Sequence, residues 1–376
     1  MTDPNADNSP AARVVPRLAI DAMGGDAGPA AVVDGVARAR AEGLAASIYF
    51  YGDENALRPL VAERSSLADA AIRHADAVVA MTDKPMHVLR RGRNTSMWTA
   101  VEAVATGEAD AIVSGGNTGA LMAVARRQLG MIEGVERPAI TALWPTPRGR
   151  VVVLDVGANV EADVRQLVTF AIMGEAFSRA LTGAAKPTVG LLNVGAEELK
   201  GHELIRGAAK VLREADPDMA FEGFVEGDDI SAGAVDVVVT DGFTGNVALK
   251  SAEGAARLVG RWMKEALTGS LPSKLGALLM MRELKTLRDR IDPSSVNGGL
   301  FLGLNGVVVK SHGGADAKGV ASAVTLAANM SGRGLRREMV ETTRRVFDRW
   351  AASTALSEAP PVDAEKSGAG DMKAAV

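Results

Sequence analysis

Five joints in this sequence combine residue types that could bind an anion. At each joint, an apolar run typical of a strand ends in a turn of Gly, Asn, Asp or Thr, and a helix-like segment follows. The joints lie at residues 18–26, 111–119, 151–159, 189–195 and 237–246. Glycine lets a ligand approach the backbone closely, and the amide groups at a helix start have no intrahelical partner. Because such amides suit a phosphate, the joints predict a binding site for an anionic ligand.

Polar side chains at these joints could complete such a site. Asn117 or Thr118 can cap the helix after the second joint. The third and fourth joints contain Asn159 and Asn193, and the last contains Asp241. Each residue could alternatively be an ordinary turn residue that bonds its own backbone. Five polar joints in one chain nevertheless favour one composite site over five independent turns.

A later strand-like run, residues 307–309, is followed by Lys310 and His312. A lone histidine after a strand is more often a structural hydrogen-bonding residue than a catalyst. From the residues alone, ligand contact by His312 is therefore one of two open interpretations.

The elements between the joints predict how they are positioned. Runs of β-branched residues alternate with Ala-rich amphipathic helices, at residues 30–42, 96–106, 164–181, 203–215 and 244–267. This alternation predicts an α/β fold with a mostly parallel sheet covered by helices on both faces. Right-handed crossovers would then place all the joint loops at one edge of the sheet.

Residues 257–291 break this alternation and predict a protruding helical hairpin that turns at residues 269–272. Between residues 257 and 290 there are eight Lys or Arg and three acids, in a chain whose net charge is −4. One interpretation is a dimerisation hairpin with a solvated basic face. Another is that the apolar tip, residues 271–281, also contacts an anionic membrane surface through residues 264–285. Both interpretations can hold.

Composition excludes several classes of function. The chain has no cysteine and four scattered histidines, so we expect no disulfide, no thiolate nucleophile and no metal site. The acidic net charge gives no reason to expect nucleic acid. No dinucleotide, P-loop or nucleophile-elbow motif occurs, and we expect no cofactor. With no apolar leader or membrane-spanning run, we predict a cytoplasmic protein with a single catalytic domain, residues 17–352, between disordered tails at 1–16 and 353–376.

Taken in order, these segments resemble the phosphate acyltransferase family of bacterial phospholipid synthesis. The matching runs are residues 20–26, 114–122, 155–160, 192–201, 226–228, 240–246 and 310–313. The resemblance implies a three-layer α/β/α sandwich like that of isocitrate and isopropylmalate dehydrogenases and phosphotransacetylase. It also implies a homodimer that associates peripherally with the inner face of the cell membrane. The implied reaction moves a long acyl chain from acyl carrier protein to inorganic phosphate, giving acyl phosphate for a membrane glycerol-3-phosphate acyltransferase.

Such a reaction depends on placing an anion beside a thioester and on stabilising an oxyanion, more than on a strong base. Under this resemblance, Lys310 would supply charge, Lys200 is a second candidate, and His312 would orient phosphate or protonate the thiolate. The predicted catalytic residues are Lys310, His312, Asn246 and Lys200, and the predicted phosphate- or substrate-binding residues are Asp26, Gly116, Asn117, Thr118, Asn159, Asn193, Asp241, Thr244 and Gly245. Asp26 and Asp241 are expected mainly to order the loops.

An acidic carrier protein could dock on basic residues. The hairpin is one such surface, and Arg90, Arg91 and Arg93 form another; the sequence leaves both open.

Three alternative functions follow from the same residues. A short-chain phosphotransacylase that uses coenzyme A is the nearest. A non-catalytic scaffold for lipid enzymes at the membrane has no need of several anion-binding joints. A decarboxylating dehydrogenase of the same fold would need a nicotinamide motif or a cluster of metal-binding Asp, and the sequence shows neither clearly.

Overall fold

An eleven-stranded sheet lies at the centre of this chain, in a computed structural model that describes residues 15–291, 298–332 and 334–358. Only the helical backbone is described for residues 287–291 and 354–358. The strands are β1 (Arg17–Asp21), β2 (Ser47–Gly52), β3 (Ala71–His74), β4 (Ala111–Ser114), β5 (Ala139–Thr146), β6 (Gly149–Leu154), β7 (Thr188–Leu192), β8 (Ala220–Val225), β9 (Val237–Val239), β10 (Gly299–Leu302) and β11 (Val307–Lys310). The helices are α1 (Gly28–Ala41), α2 (Glu54–Ala62), α3 (Pro85–Arg91), α4 (Ser96–Ala105), α5 (Thr118–Leu129), α6 (Val164–Thr182), α7 (Glu203–Ala215), α8 (Gly227–Ala232), α9 (Gly242–Thr268), α10 (Leu271–Leu279), α11 (Met281–Ile291), α12 (Ala317–Met330) and α13 (Leu335–Glu358).

The five predicted helices are present as α1, α4, α6, α7 and α9. Their starts follow from local capping chemistry. Asp163 and Gln166 form a reciprocal capping box at the start of α6, and Gly183 ends that helix with φ +79°. Asp241 accepts a hydrogen bond from the Thr244 backbone amide at 2.8 Å, so α9 begins at Gly242, slightly earlier than predicted.

Alternate residues of the central strands enter two separate cores. In β6, Val152 and Leu154 pack on one face of the sheet, whereas Val151 and Val153 pack on the other. Helices α1, α6, α7, α12 and α13 cover the first face, and α4, α5 and α8 cover the second. The period of two in β-strands produces this division. The predicted three-layer α/β/α architecture is confirmed.

The two halves of the sheet run in opposite directions. The strand order is β3-β2-β1-β4-β11-β10-β5-β6-β9-β7-β8. The first five strands are mutually parallel, and so are the last four. Between the halves, each of the three neighbouring pairs β11–β10, β10–β5 and β5–β6 is antiparallel. The two halves are also offset along the strands. Lys310 pairs with Gly299, Phe301 with Ile140 and Thr141 with Leu154, so Leu154 and Lys310 lie at nearly the same level, with β10 and β5 between them. The joint loops therefore do not all follow strands of one direction, as predicted, but the carboxyl ends of the two half-sheets lie at a common level on either side of β10 and β5.

The predicted hairpin is helical but has three parts. The carboxyl half of α9 is its first arm, and the chain turns at Gly269 and Ser270, where Ser270 caps α10. A break at Met280 divides the second arm into α10 and α11. Its apolar side chains are strongly exposed, with Leu271 at 82% and Leu279 at 80%.

Two further expectations concern the chain ends and the membrane. Helix α13 continues to Glu358, so the carboxyl tail predicted from residue 353 starts too early. Residues 1–14 and 359–376 of the predicted tails lie outside the described residues. Within the described ranges, we find no helix whose length and apolarity would let it span a bilayer.

Candidate active site

Three neighbouring strand ends bring Lys310 beside a narrow cleft, whose lining includes its neighbours Gly115 and Ser311. Lys310, the last residue of β11, pairs in register with Ser114 at the end of β4, and Ser114 pairs with Asp21 at the end of β1. The loops that follow these strands contact each other, since the Asp26 amide donates to the Gly313 carbonyl at 2.7 Å. One parallel half of the sheet thus assembles one group of the predicted site residues.

Lys310 is a buried cation at this point. Lys310 is only 9% exposed. Its Nζ donates hydrogen bonds to the carbonyl oxygen of Gly115, at 3.3 Å, and to that of Ser311. Burial lowers the pKa of Lys310 from its usual 10.5 to about 8, against the opposing effect of the Asp21 and Asp26 carboxylates. Lys310 is therefore mostly charged at neutral pH and can release its proton near pH 8.

Asp21 fixes the turn beside Lys310, a role that the sequence analysis missed. Its carboxylate is 2% exposed and accepts hydrogen bonds from the hydroxyls of Ser96 at 2.7 Å and Ser114 at 2.6 Å. Burial raises the pKa of Asp21. The Ser114 hydroxyl in turn accepts from the Gly116 amide at 3.1 Å. The Gly116 N–H, predicted to cradle phosphate, is thus already used within the turn.

Glycine is required where these loops meet. A β-carbon at Gly24 would lie 2.5 Å from an Asp21 carboxylate oxygen and 2.8 Å from the Gly116 nitrogen. Gly25 has φ +101°, and a β-carbon there would lie 2.7 Å from the Gly313 carbonyl oxygen. His312 lines the same cleft, together with Asp21, Gly24, Gly115, Ser311, Gly313 and Ala315.

Asn117 caps α5, as predicted for Asn117 or Thr118, and also holds a second segment in place. Its Oδ1 accepts from the Ala120 amide at 3.0 Å. Its Nδ2 donates to the Met81 and Asp83 carbonyls at 2.9 and 3.0 Å. Thr118 is the first residue of α5. The Asn117 side chain therefore attaches the segment before α3 to the cleft.

A second group of residues surrounds Asp155, which follows β6 in the other half of the sheet. Asp155 is fully buried, which raises the pKa of its carboxyl. The carboxylate accepts five hydrogen bonds between 2.6 and 3.2 Å, from the amides of Ile140, Gly157, Ala158 and Asn159 and from Asn159 Nδ2. Asn159 Nδ2 also donates to the Pro138 carbonyl at 2.8 Å. Asp155 and Asn159 therefore shape the loop that follows β6.

The start of α9 packs directly on this loop. The Gly242 amide donates to the Asn159 carbonyl at 2.7 Å, and a β-carbon at Gly245 would lie 2.0 Å from the Asp155 carbonyl oxygen. Asp241 accepts from both the amide and the hydroxyl of Thr244 at 2.8 Å, which confirms that Asp241 orders this joint. The Asn246 side chain lies beside Gly157, 3.7 Å from where a β-carbon would be.

Asn193 and Lys200 belong to the loop after β7 in the same half of the sheet. Asn193 Nδ2 donates to the carbonyls of Gly195 and Lys200 at 3.1 Å. Gly201 has φ +86°, and a β-carbon there would lie 1.8 Å from Asn193 Oδ1. Lys200 is half-exposed and forms a 2.7 Å ion pair with Glu197, which raises the pKa of Lys200. Asn193 therefore holds its loop, whereas the Lys200 ammonium faces solvent.

The structure thus divides the predicted site residues by the direction of their strands. The first group, around Lys310, contains Asp26, Gly116, Asn117, Thr118, Lys310 and His312. The second group, around Asp155, contains Asn159, Asn193, Lys200, Asp241, Thr244, Gly245 and Asn246. Among the described residues we find no cluster of acids and histidines suited to a metal ion.

Comparison with solved structures defines the class of fold. A phosphotransacetylase from Streptococcus pyogenes superposes with a TM-score of 0.57 at 18% identity, covering 84% of this chain and 94% of that one. The phosphotransacetylase of Staphylococcus aureus gives a TM-score of 0.54 at 15% identity, with the same coverage. At these identities the likeness establishes the fold alone, and this fold was part of the sequence-based expectation.

Sequence relatives define the family. The family described as fatty acid synthesis protein matches residues 16–337. The phosphate acyltransferase of Maricaulis maris is 57% identical over 317 residues, which cover 83% of this chain and 90% of that protein. The phosphate acyltransferase of Rhodobacter capsulatus is 51% identical over 357 residues, 94% of this chain and 87% of that protein. This chain belongs to the phosphate acyltransferase family, and it is an acyltransferase of fatty acid and phospholipid synthesis.

Proposed function

We propose that this enzyme transfers a long-chain acyl group from acyl carrier protein to inorganic phosphate and releases acyl phosphate. The observation that carries the proposal is the buried Lys310 cation enclosed by the glycine loops after β1, β4 and β11. A buried positive charge beside glycine-rich loops is suited to a small dianion. Family membership supplies the reaction type, and the Lys310 charge at these strand ends supports a phosphate site there.

The proposed reaction balances without a cofactor. A phosphate oxygen attacks the thioester carbonyl, and the resulting tetrahedral oxyanion collapses as the carbon–sulfur bond breaks. The proton carried by hydrogen phosphate ends on the departing sulfur, giving the free carrier thiol and acyl phosphate. Orientation of the two substrates contributes several kcal/mol, and one oxyanion donor about 3 kcal/mol.

Lys310 fits two steps of this reaction. While protonated, it attracts the phosphate dianion. Its pKa of about 8 lies close to that of a thiol, roughly 8.5, so it can also donate a proton to the departing sulfur and regain one from the attacking hydrogen phosphate. His312 lines the same cleft and is the second candidate for that proton transfer. The proposed roles of Asn246 and Lys200 stay predictions, and both residues lie in the second group.

The hairpin supports a proposed location at the membrane. Its exposed apolar side chains, including Leu271, Leu275 and Leu279, lie beside exposed Lys264 and Lys274. This combination suits the surface of an anionic bilayer. We therefore propose a cytoplasmic enzyme that binds the inner face of the cell membrane through residues 264–285. A membrane glycerol-3-phosphate acyltransferase would consume the product there. The exposed apolar residues Leu258, Val259 and Trp262 of α9 are proposed to pack in a homodimer.

One assay tests both the acyl donor and the acyl phosphate product. Purified enzyme is given phosphate with long-chain acyl carrier protein, long-chain acyl coenzyme A or acetyl coenzyme A, and acyl phosphate is trapped with hydroxylamine. We expect the highest kcat/KM with the long-chain carrier protein, and its loss in Lys310→Met. Turnover of acetyl coenzyme A alone would identify a short-chain phosphotransacylase instead. No product with any donor would refute catalysis and leave the scaffold interpretation.

A further inference from the structure

A basic excursion, residues 77–95, connects β3 to α4 and contains α3. It carries four cationic residues and one acid, Asp83, in a chain whose net charge is −4. The cationic residues are Lys84, Arg90, Arg91 and Arg93. All four are exposed, and none forms an ion pair with any residue in the described ranges. Since most other arginines of the described chain are paired with acids, this surface has an unusual, uncompensated positive charge.

The base of the excursion is attached to the Lys310 cleft. The Ala77 amide donates to the Asn94 carbonyl at 3.2 Å, and the Ser96 amide donates to the Ala77 carbonyl at 3.0 Å, which closes the base. The Ser96 hydroxyl donates to Asp21, the carboxylate beside Lys310, at 2.7 Å. One side of the excursion is therefore fixed to the wall of the cleft.

The middle of the excursion is attached to the same cleft. Asn117 Nδ2 holds the Met81 carbonyl at 2.9 Å. The Met81 side chain reaches within 3.3 Å of the position that a β-carbon on Gly313 would occupy. A macromolecule bound on the excursion would therefore lie beside the loop that carries His312 and Gly313.

We infer that the surface of this excursion is the docking site for the acidic carrier protein that presents the acyl thioester. The inference rests on the proposed function. Arg90, Arg91 and Arg93 complement an acidic protein surface, and a positively charged rim accelerates and orients encounter with such a partner. Met81 and Met86 are 44% and 60% exposed and add flexible apolar contacts between the charges.

The hairpin is the other basic surface that the sequence left open, and it is less suited to this task. It extends from α9, which begins beside the Asp155 loop in the other half of the sheet. A helix of 27 residues is about 40 Å long, so the tip lies far from its own joint. The excursion, by contrast, is bonded to the cleft at both its base and its middle.

Two donors with the same acyl group separate docking from chemistry. One is acyl carrier protein, and the other is the corresponding acyl-pantetheine, which has the thioester but no protein. For Arg90→Glu/Arg91→Glu we expect kcat/KM for the carrier protein to fall by about tenfold or more, with acyl-pantetheine turnover unchanged. Added salt should weaken carrier use in wild type and have little effect in the variant. Lys186→Glu/Lys210→Glu makes the same change of charge on other exposed, unpaired lysines and should retain carrier use.

Several outcomes would overturn the inference. Wild-type carrier kinetics in Arg90→Glu/Arg91→Glu would do so, as would an equal loss with both donors in a variant whose melting temperature is unchanged. Loss of carrier use in Lys264→Glu/Lys274→Glu alone would place docking on the hairpin. Loss of binding to anionic vesicles, with carrier use retained, would identify the excursion as a membrane surface. If the variant does not fold, the milder Arg90→Ala/Arg91→Ala is measured against the same two donors. Wild type that turns over neither donor would refute the proposed function itself.

Discussion

Replacement of Lys310 by methionine is expected to abolish acyl phosphate formation and, at neutral pH, to stabilise the folded protein. Lys310 is 9% exposed, and burial lowers its pKa from 10.5 to about 8. A pKa change of this size corresponds to roughly 3 kcal/mol of unfavourable charging in the folded state. Methionine has a similar length and no charge, so it avoids this cost. Asp21 and Asp26 lose a neighbouring cation in the variant, which makes 3 kcal/mol an upper limit.

The size of this effect depends on pH. Below pH 8, Lys310 is protonated in both the folded and the unfolded chain, and the folded state bears the full cost. Between pH 8 and 10.5 the folded protein has released this proton while the unfolded chain still binds it, so the free energy of unfolding rises with pH. The stability difference between Lys310→Met and wild type should therefore be largest near pH 7 and shrink across this window.

Urea unfolding at pH 7 and pH 10, followed by tryptophan fluorescence, measures the difference directly, because other titrating groups are common to both proteins. The wild-type kcat/KM for phosphate should also fall above pH 8 as Lys310 loses its charge. Lys186→Met, which replaces an exposed lysine, should show neither effect. Parallel pH dependence of unfolding in wild type and Lys310→Met, or an active Lys310→Met enzyme, would refute the reasoning.

Other substitutions test the second group and the hairpin. Asp155→Asn removes acceptor capacity from a carboxylate with five donors, and we expect a loss of about 2 kcal/mol or more in unfolding free energy; an unchanged urea midpoint would contradict this. Gly245→Ala places a β-carbon 2.0 Å from a carbonyl oxygen and should cost about 1–3 kcal/mol. Its control Gly254→Ala, in open space on the same helix, should gain up to about 1 kcal/mol. Leu271→Ser/Leu279→Ser should reduce co-sedimentation with anionic vesicles by about tenfold or more, since each leucine contributes roughly 1.5–3 kcal/mol when buried; unchanged sedimentation would exclude the hairpin tip from membrane contact.

Local chemistry made much of the fold predictable. An apolar run followed by a capping residue specifies a strand and a helix over a short stretch of chain, as at Asn117 and Asp241. The direction of the second half-sheet depends instead on the β5–β6 hairpin, which reverses the chain. Pro145, Pro147 and Gly149 marked that turn in the sequence. A hairpin of this kind changes the direction of every strand that follows, so no single joint reveals it.

The organising acids were harder to recognise. Asp21 and Asp155 each follow a buried apolar run, and a buried carboxylate must find several donors. The position of each aspartate, directly after a buried apolar run, was the signal in the sequence that it would accept several hydrogen bonds. The donors themselves come from remote parts of the chain, since Ser96 lies 75 residues from Asp21. Sequence spacing alone therefore identified the loops but not the groups that hold them in shape.

The placement of β10 and β11 has a consequence for biosynthesis. These two strands come late in the sequence but lie at the centre of the sheet, between β4 and β5. The two half-sheets are therefore joined only after residues 299–310 have left the ribosome. Lys310 is the last residue of β11. Any product truncated upstream of it would have neither a continuous sheet nor Lys310, and the nascent chain gains this buried charge in the same event that completes its architecture.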